Sequence, residues 1–150
     1  MSKNLLGNNF ITQIGILVHD IEKTSQVYAD FFGVDKPEAI ITDTVDKAQT
    51  EYRGESTVAR AKLAFFNMGS LQLELIEPDE HPSTWREYLD EHGEGVHHIA
   101  FEIEGMKEKV QLLEGAQMPL VQKGEYEGGR YAYIDSVKDL KVMLELLEND

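Results

Sequence analysis

Four residues carry most of the chemistry this sequence offers: Gln13, Glu74, His98 and Glu145. One imidazole, two carboxylates and an amide oxygen make a mixed donor set suited to zinc, cobalt, nickel, manganese or iron rather than calcium. Two carboxylates held together away from water repel, and one of them takes up a proton unless a cation lies between them. A divalent ion balances their two charges. Taken singly, each residue has an ordinary explanation. A mid-strand Glu in an acidic chain most often faces solvent, a lone His is more often hydrogen-bonded in a core, and one Gln signals nothing. What sets the four apart is a symmetry, and that symmetry belongs to the elements that carry them.

Residues 11–18 (ITQIGILV) are β-branched and apolar and predict a strand. Asp20 caps a helix whose apolar positions run from Ile21 to Phe32, and Gly33 ends it. Residues 34–58 are polar, with one strand near Ala39–Thr44 and a flexible stretch, DKAQTEYRGEST. Ala61–Met68 and Leu71–Glu77 predict two strands joined by a tight Gly69-Ser70 turn. In the connection that follows, Ser83, Thr84 and Glu87 have capping-box spacing for a short helix bearing Trp85, Tyr88 and Leu89. The pattern then restarts: strand His97–Ile103, helix Gly105–Glu114 with Gly115 as its cap, and strands Pro119–Gln122, Arg130–Asp135 and Val142–Glu148.

The restart aligns residue by residue. QIGILVHDIEKTSQVY from Gln13 lies over HIAFEIEGMKEKVQLL from His98 at an offset of 98 − 13 = 85, and LQLELIEPD (71–79) lies over VMLELLEND (142–150) at 145 − 74 = 71. Two matched ends in the same order indicate a tandem duplication, and 85 − 71 = 14 extra residues in the first copy fit the polar stretch 45–58. The expected organisation is a single domain: module one about 11–78, a connecting helix about 79–94 and module two about 95–148. Strand alternation then sorts the faces. Ile14, Ile16 and Val18, with Ile99, Phe101 and Ile103, pack on the helices, as do Leu71/Leu73/Leu75 and Val142/Leu144/Leu146. Gln13, Glu74, His98 and Glu145 share the opposite faces, Gln13 equivalent to His98 and Glu74 to Glu145, around one concavity. By the same alternation His97 faces the apolar side and reads as structural.

Composition narrows the function classes. Fourteen Lys and Arg against 28 Asp and Glu give a net charge of −14, which argues against a nucleic-acid partner or a polybasic membrane anchor. Zero cysteines exclude a disulfide framework, a thiolate zinc site and a Cys nucleophile. The start, MSKNLLGNNF, lacks the apolar core of a signal peptide. The longest apolar runs are a few residues, against roughly 20 for a membrane span. A cytoplasmic protein is the expectation. GEYEGG lacks the Lys and the strand–helix setting of a nucleotide loop. Arg130, after Gly128-Gly129, is a candidate for a substrate carboxylate or phosphate, with a surface role as the alternative.

The repeated βαβββ layout over about residues 11–148 resembles the vicinal oxygen chelate superfamily, which includes glyoxalase I, methylmalonyl-CoA epimerase and extradiol dioxygenases. The most specific stretch is LELIEPDEHPSTWREYLDEHGEGVHHIAFEIEG, similar to methylmalonyl-CoA epimerases in its ligand-bearing strand, Pro, short helix and Gly-x-His-His strand. The resemblance implies an α+β fold, tandem βαβββ modules forming a curved eight-stranded mixed sheet around a metal-containing cleft. It places the metal ligands at Gln13, Glu74, His98 and Glu145, the set reached from periodicity.

It also implies metal-assisted enolisation beside a carbonyl or thioester, with Glu145 as base and Glu74 as its symmetry mate. Substrates would be an acyl-CoA or a glutathione or other thiol adduct, and the protein a homodimer. The chain departs from the epimerase pattern in having Gln13 where His is usual, and Val58 near the position of a second acid/base Glu, with Glu55 three residues earlier. The set Gln, Glu, His, Glu instead resembles that of some glyoxalase I enzymes. Epimerase, glyoxalase-type lyase and non-catalytic binding protein of the same fold are the three readings.

Overall fold

A computed structural model describes residues 4–150; residues 1–3, the start of the segment expected to lack a signal peptide, lie outside the described residues. In chain order the elements are β1 (Gln13–Leu17), α1 (Ile21–Phe32), β2 (Ile40–Ile41), α2 (Val45–Ala48), β3 (Glu51–Tyr52), β4 (Glu55–Ser56), β5 (Ala61–Asn67), β6 (Gln72–Pro78), α3 (Thr84–His92), β7 (Gly95–Glu102), α4 (Met106–Gly115), β8 (Leu120–Tyr126), β9 (Gly129–Ile134), α5 (Val137–Leu140) and β10 (Met143–Asn149). All strands join one curled, open sheet in the order β2-β5-β6-β1-β7-β10-β9-β8-β3-β4. At its centre β1 pairs antiparallel with β7, and each first strand pairs parallel with the last strand of its own half, β1 with β6 and β7 with β10.

Local chemistry explains the two sheet-packing helices. Asp20 accepts from Lys23 N at 3.1 Å to start α1, and Gly33 at φ 65 supplies the left-handed turn that stops it. Helix α4 runs through Gly115, and Gln117 takes the left-handed conformation (φ 67) expected of that glycine. Each helix buries the aliphatic face of one half. Ile21 and Ala29 of α1 pack with Ala64, Phe66 and Leu75, while Leu113 of α4 packs with Ile134, Leu144 and Leu146. The opposite faces turn inward, where Trp85 and Leu89 of α3 pack with Leu17, Ile76, Tyr133 and Met143 and close one end of the concavity. Among the described residues no helix is long and apolar enough to cross a membrane.

The sheet has ten strands rather than eight, because the polar stretch 45–58 is folded. It forms α2 and the β3–β4 hairpin, and β3 pairs with β8 of the other half (Glu51 with Lys123, Tyr52 with Gln122). Glu87 on α3 holds the hairpin, accepting from Tyr52 Oη at 2.5 Å and Arg53 Nη2 at 2.7 Å. Residues 42–50 thus run from one flank of the sheet to the other. Laid flat, eight strand spacings between β2 and β3 would cover about 38 Å, whereas a link containing one helical turn reaches about 27 Å. The sheet must curl for this strap to close.

Helix α3 carries inward-facing side chains and starts at a buried cap: Ser83 is 1% exposed and accepts from Arg86 N at 3.0 Å. Ser83→Ala is expected to lower stability by about 1–2 kcal/mol in urea unfolding.

Candidate metal centre

Strand register brings the four residues together. In one row across the sheet Glu74 of β6 lies beside Gly15 of β1, which lies beside His98 of β7; in the next, Gln13 lies beside Ala100, which lies beside Glu145 of β10. All four are buried, His98 completely. His98 Nε2 lies 2.9 Å from Gln13 Oε1, 3.1 Å from Glu145 Oε1 and 3.4 Å from Glu74 Oε1. Ligand atoms of Glu74, His98 and Glu145 all fall within 4.8 Å of one another.

The amide of Gln13 sharpens what this cluster needs. Its Nε2 donates to Gln72 Oε1 at 2.6 Å, leaving Oε1 3.0 Å from Glu145 Oε1 and 3.3 Å from Glu74 Oε1. Three oxygens and a ring nitrogen then converge with only a His98 Nε2 proton available between them. Turned over, the amide aims its NH2 at the same acceptors and sets its oxygen 2.6 Å from Gln72 Oε1. The two orientations suit two occupants: the first a cation, the second the amide's own hydrogens. Two carboxylates, an imidazole and an amide oxygen are a donor set that fits zinc, cobalt, nickel or manganese.

Electrostatics point the same way. Burial first, and then the Glu145 charge, push the Glu74 carboxyl well above its ordinary range. Burial pushes Glu145 up to about 8, opposed by the nearby Tyr133 hydroxyl, which accepts from Trp85 Nε1 at 3.0 Å. Burial lowers His98 to about 3 and, with the neighbouring His98, holds His97 well below 6.5. The imidazoles are neutral, so neither balances the carboxylates.

Two further residues shape the site, one by its small size and one by breaking the strand's alternation. Gly15 has no side chain because none would fit: a Cβ there would lie 2.1 Å from His98 Cε1. His97 does not face the apolar helices. Gly15 pairs with His98 and Ile16 with Val96, so His97 is the unpaired residue of a β-bulge. The bulge turns His97 inward, fully buried, with its Nδ1 2.9 Å from His98 Nδ1. Its ring nitrogens are the site groups that period-two reasoning missed, because the bulge that turns them inward is set by the pairing with β1.

The cluster sits at the floor of a cavity of about 460 Å³ between the strap and the sheet, walled by Ile40, Leu63, Phe65, Tyr126, Tyr131 and Trp85. Asp43 of the strap and Glu125 and Glu127 are its other charged lining residues. Glu55 and Val58 do not line it: both are exposed, Glu55 on β4 beyond β3. Arg130 is committed elsewhere, donating to Glu148 at 2.8 Å and Asp150 at 2.6 Å.

Comparison with known proteins gives the family and the fold. The sequence profile of the glyoxalase/bleomycin resistance protein/dioxygenase superfamily matches residues 12–133. Uncharacterized protein YqjC of Bacillus subtilis (strain 168) is 29% identical over 143 residues, covering 93% of this chain and 92% of its own. Methylmalonyl-CoA epimerase from Mycobacterium tuberculosis superposes with a TM-score of 0.62 at 22% identity, covering 100% of this chain and 93% of the other. A methylmalonyl-CoA epimerase solved in complex with methylmalonyl-CoA and NH4+ gives 0.60 at 24%, covering 93% of each chain.

Two measurements probe the centre. Gly15→Ala forces the buried His98 ring aside, and is expected to weaken zinc binding more than tenfold and cost about 1–3 kcal/mol of stability. In metal-free protein the carboxylates' folded pKa values lie above their unfolded ones. Their contribution is complete below about 4.5, and the part from Glu145 is lost as pH rises through about 8. The histidines act oppositely, and their contribution is constant above 6.5. Metal-free protein should therefore lose stability from pH 6.5 to 8, with a limiting slope of about 1.4 kcal/mol per pH unit per proton, and added zinc should remove the decline.

Proposed function

The chain belongs to the glyoxalase/bleomycin resistance protein/dioxygenase superfamily, and from that premise we propose that it is a divalent-metal-dependent isomerase that removes a proton next to a carbonyl or thioester. The observation that carries this reading is the convergence of Gln13, Glu74, His98 and Glu145 on one point at the floor of the cavity. These four residues would hold zinc, cobalt, nickel or manganese. A bound divalent ion would supply Lewis-acid polarisation of the substrate's carbonyl oxygen.

The chain's own residues supply the rest. Glu145 is the base, its carboxylate 3.1 Å from His98 Nε2 and shielded from bulk water by its burial. Glu74, its mate in the other half, approaches from the opposite side of His98 and can return a proton to the other face or to a neighbouring carbon. The apolar and aromatic wall of the cavity takes the organic part of the substrate. The two βαβββ modules, about 11–78 and 95–148, each contribute two of the four ligands, and the connection 79–94 supplies α3.

Within this reading the substrate is an acyl-CoA thioester, as for the epimerase solved with methylmalonyl-CoA, and the protein is a cytoplasmic homodimer. A glyoxalase-type reaction on a thiol hemithioacetal is the second reading. It is favoured by Gln13 at the first ligand and by the position of Glu55 and Val58 outside the cavity, which leaves Glu74 and Glu145 as the acid/base pair.

Metal analysis of purified protein comes first, followed by deuterium exchange at C2 of a methylmalonyl thioester and conversion of a hemithioacetal. Metal with C2 exchange supports the epimerase; metal with hemithioacetal conversion alone supports the glyoxalase-type lyase. Glu145→Gln is expected to slow the observed reaction about 10²- to 10⁴-fold. Absence of bound metal overturns the proposal. Metal with neither activity, but tight binding of a small ligand, makes the protein a binding module.

A further inference from the structure

His97 is a buried polar residue with no place in the chemistry above, and its surroundings are unusually complete. Its ring lies edge-on to three others: Tyr88 at 5.3 Å, Tyr133 at 5.0 Å and His98 at 5.2 Å between centroids. Both its nitrogens have partners. Nδ1 faces His98 Nδ1 at 2.9 Å, and Nε2 faces Thr84 Oγ1 at 3.3 Å. Thr84 is itself fixed at the first turn of α3, where its backbone N–H donates to the buried Gln122 Oε1 at 2.8 Å.

Two nitrogens 2.9 Å apart share one proton, and it has two placements. On His98 Nδ1 it leaves Nε2 as a lone pair aimed at the Gln13, Glu74 and Glu145 oxygens. His97 then carries its own proton on Nε2 and donates it to Thr84. On His97 Nδ1 it leaves His98 protonated at Nε2, donating into the carboxylates, while the Thr84 hydroxyl donates to His97. Both rings are neutral and the number of protons is the same in either arrangement. Only the first presents a ligand. Resting on the metal reading above, we infer that His97, held by Thr84, is a positioning residue that sets the His98 tautomer and with it the cluster's affinity for a divalent ion.

A histidine suits this place because its Nδ1 can accept or donate, as can the Thr84 hydroxyl on its far side. Carboxylates and backbone carbonyls, the commoner partners of ligating histidines, can only accept. A carboxylate here would also add a third buried negative charge beside Glu74 and Glu145. The β-bulge is what makes the contact possible, since regular alternation would send the two rings to opposite faces.

Zinc titration by calorimetry, with the protonated ring nitrogens read by long-range ¹H–¹⁵N spectra, tests the inference. His97→Phe keeps an aromatic ring among Tyr88 and Tyr133 but removes the acceptor, and is expected to weaken zinc about 10- to 100-fold. In the loaded wild type His98 carries its proton on Nδ1, and this signature is lost in His97→Phe. His97→Asn places an amide oxygen where Nδ1 was and should restore most of the affinity; Thr84→Val should give an intermediate loss. Wild-type affinity in His97→Phe, or equal weakening in His97→Phe and His97→Asn, overturns the role of His97 while leaving the metal site standing. Unchanged zinc binding in His98→Ala overturns the metal reading and this inference together. If His97→Phe does not fold, wild-type affinity in Thr84→Val overturns the inference by itself.

Discussion

Two carboxylates buried side by side, Glu74 and Glu145, are the constraint around which this molecule is arranged. Nothing in the stability of a small α+β domain calls for them, and apolar residues of similar volume would pack the same space more favourably. They are placed by the centre of the sheet, the pairing of β1 with β7 flanked by β6 and β10. Their separation is therefore set by strand spacing rather than by side-chain choice. Around them the structure makes room and supplies partners. Gly15 clears the space that the His98 ring fills, and Gln13 and His98 complete the ring of donors.

The second determinant is the strap, residues 42–50. Its reach is too short for an open sheet, so closing it bends the ten strands around a concavity. Its own residues, among them Thr42, Ala48 and Thr50, roof the resulting cavity. One face of the site is thus made from the polar insertion that distinguishes the first half of the chain from the second. A site built on two matched halves gains an asymmetric entrance this way, with the ligands pseudo-symmetric and the substrate wall not.

Much of this was legible beforehand. The helix bounds around Asp20 and Gly33 and the inward face carrying Gln13, Glu74, His98 and Glu145 all follow from local periodicity and from two offset repeats. The errors share a cause, which is that their determinants are distant in sequence. The β3–β4 hairpin exists because β8 and Glu87 meet it, some 35 to 70 residues away along the chain. Glu55, a candidate second acid/base on family resemblance, is carried out of the cavity by that same hairpin. The helical turns α2 and α5 are each four residues, too short for a periodic signal.

The sequence alone therefore determined which residues share a face, because side-chain direction along a regular strand has period two and the duplication marks equivalent positions. Only the tertiary structure decided the role of His97. One unpaired residue opposite β1 shifts the phase of that period, and no property of the dipeptide His97-His98 announces where the shift occurs. It also decided that the four donors meet within hydrogen-bonding distance rather than merely on a common face. That distance depends on how far the sheet curls, and the curl depends on a strap whose two ends attach to opposite flanks.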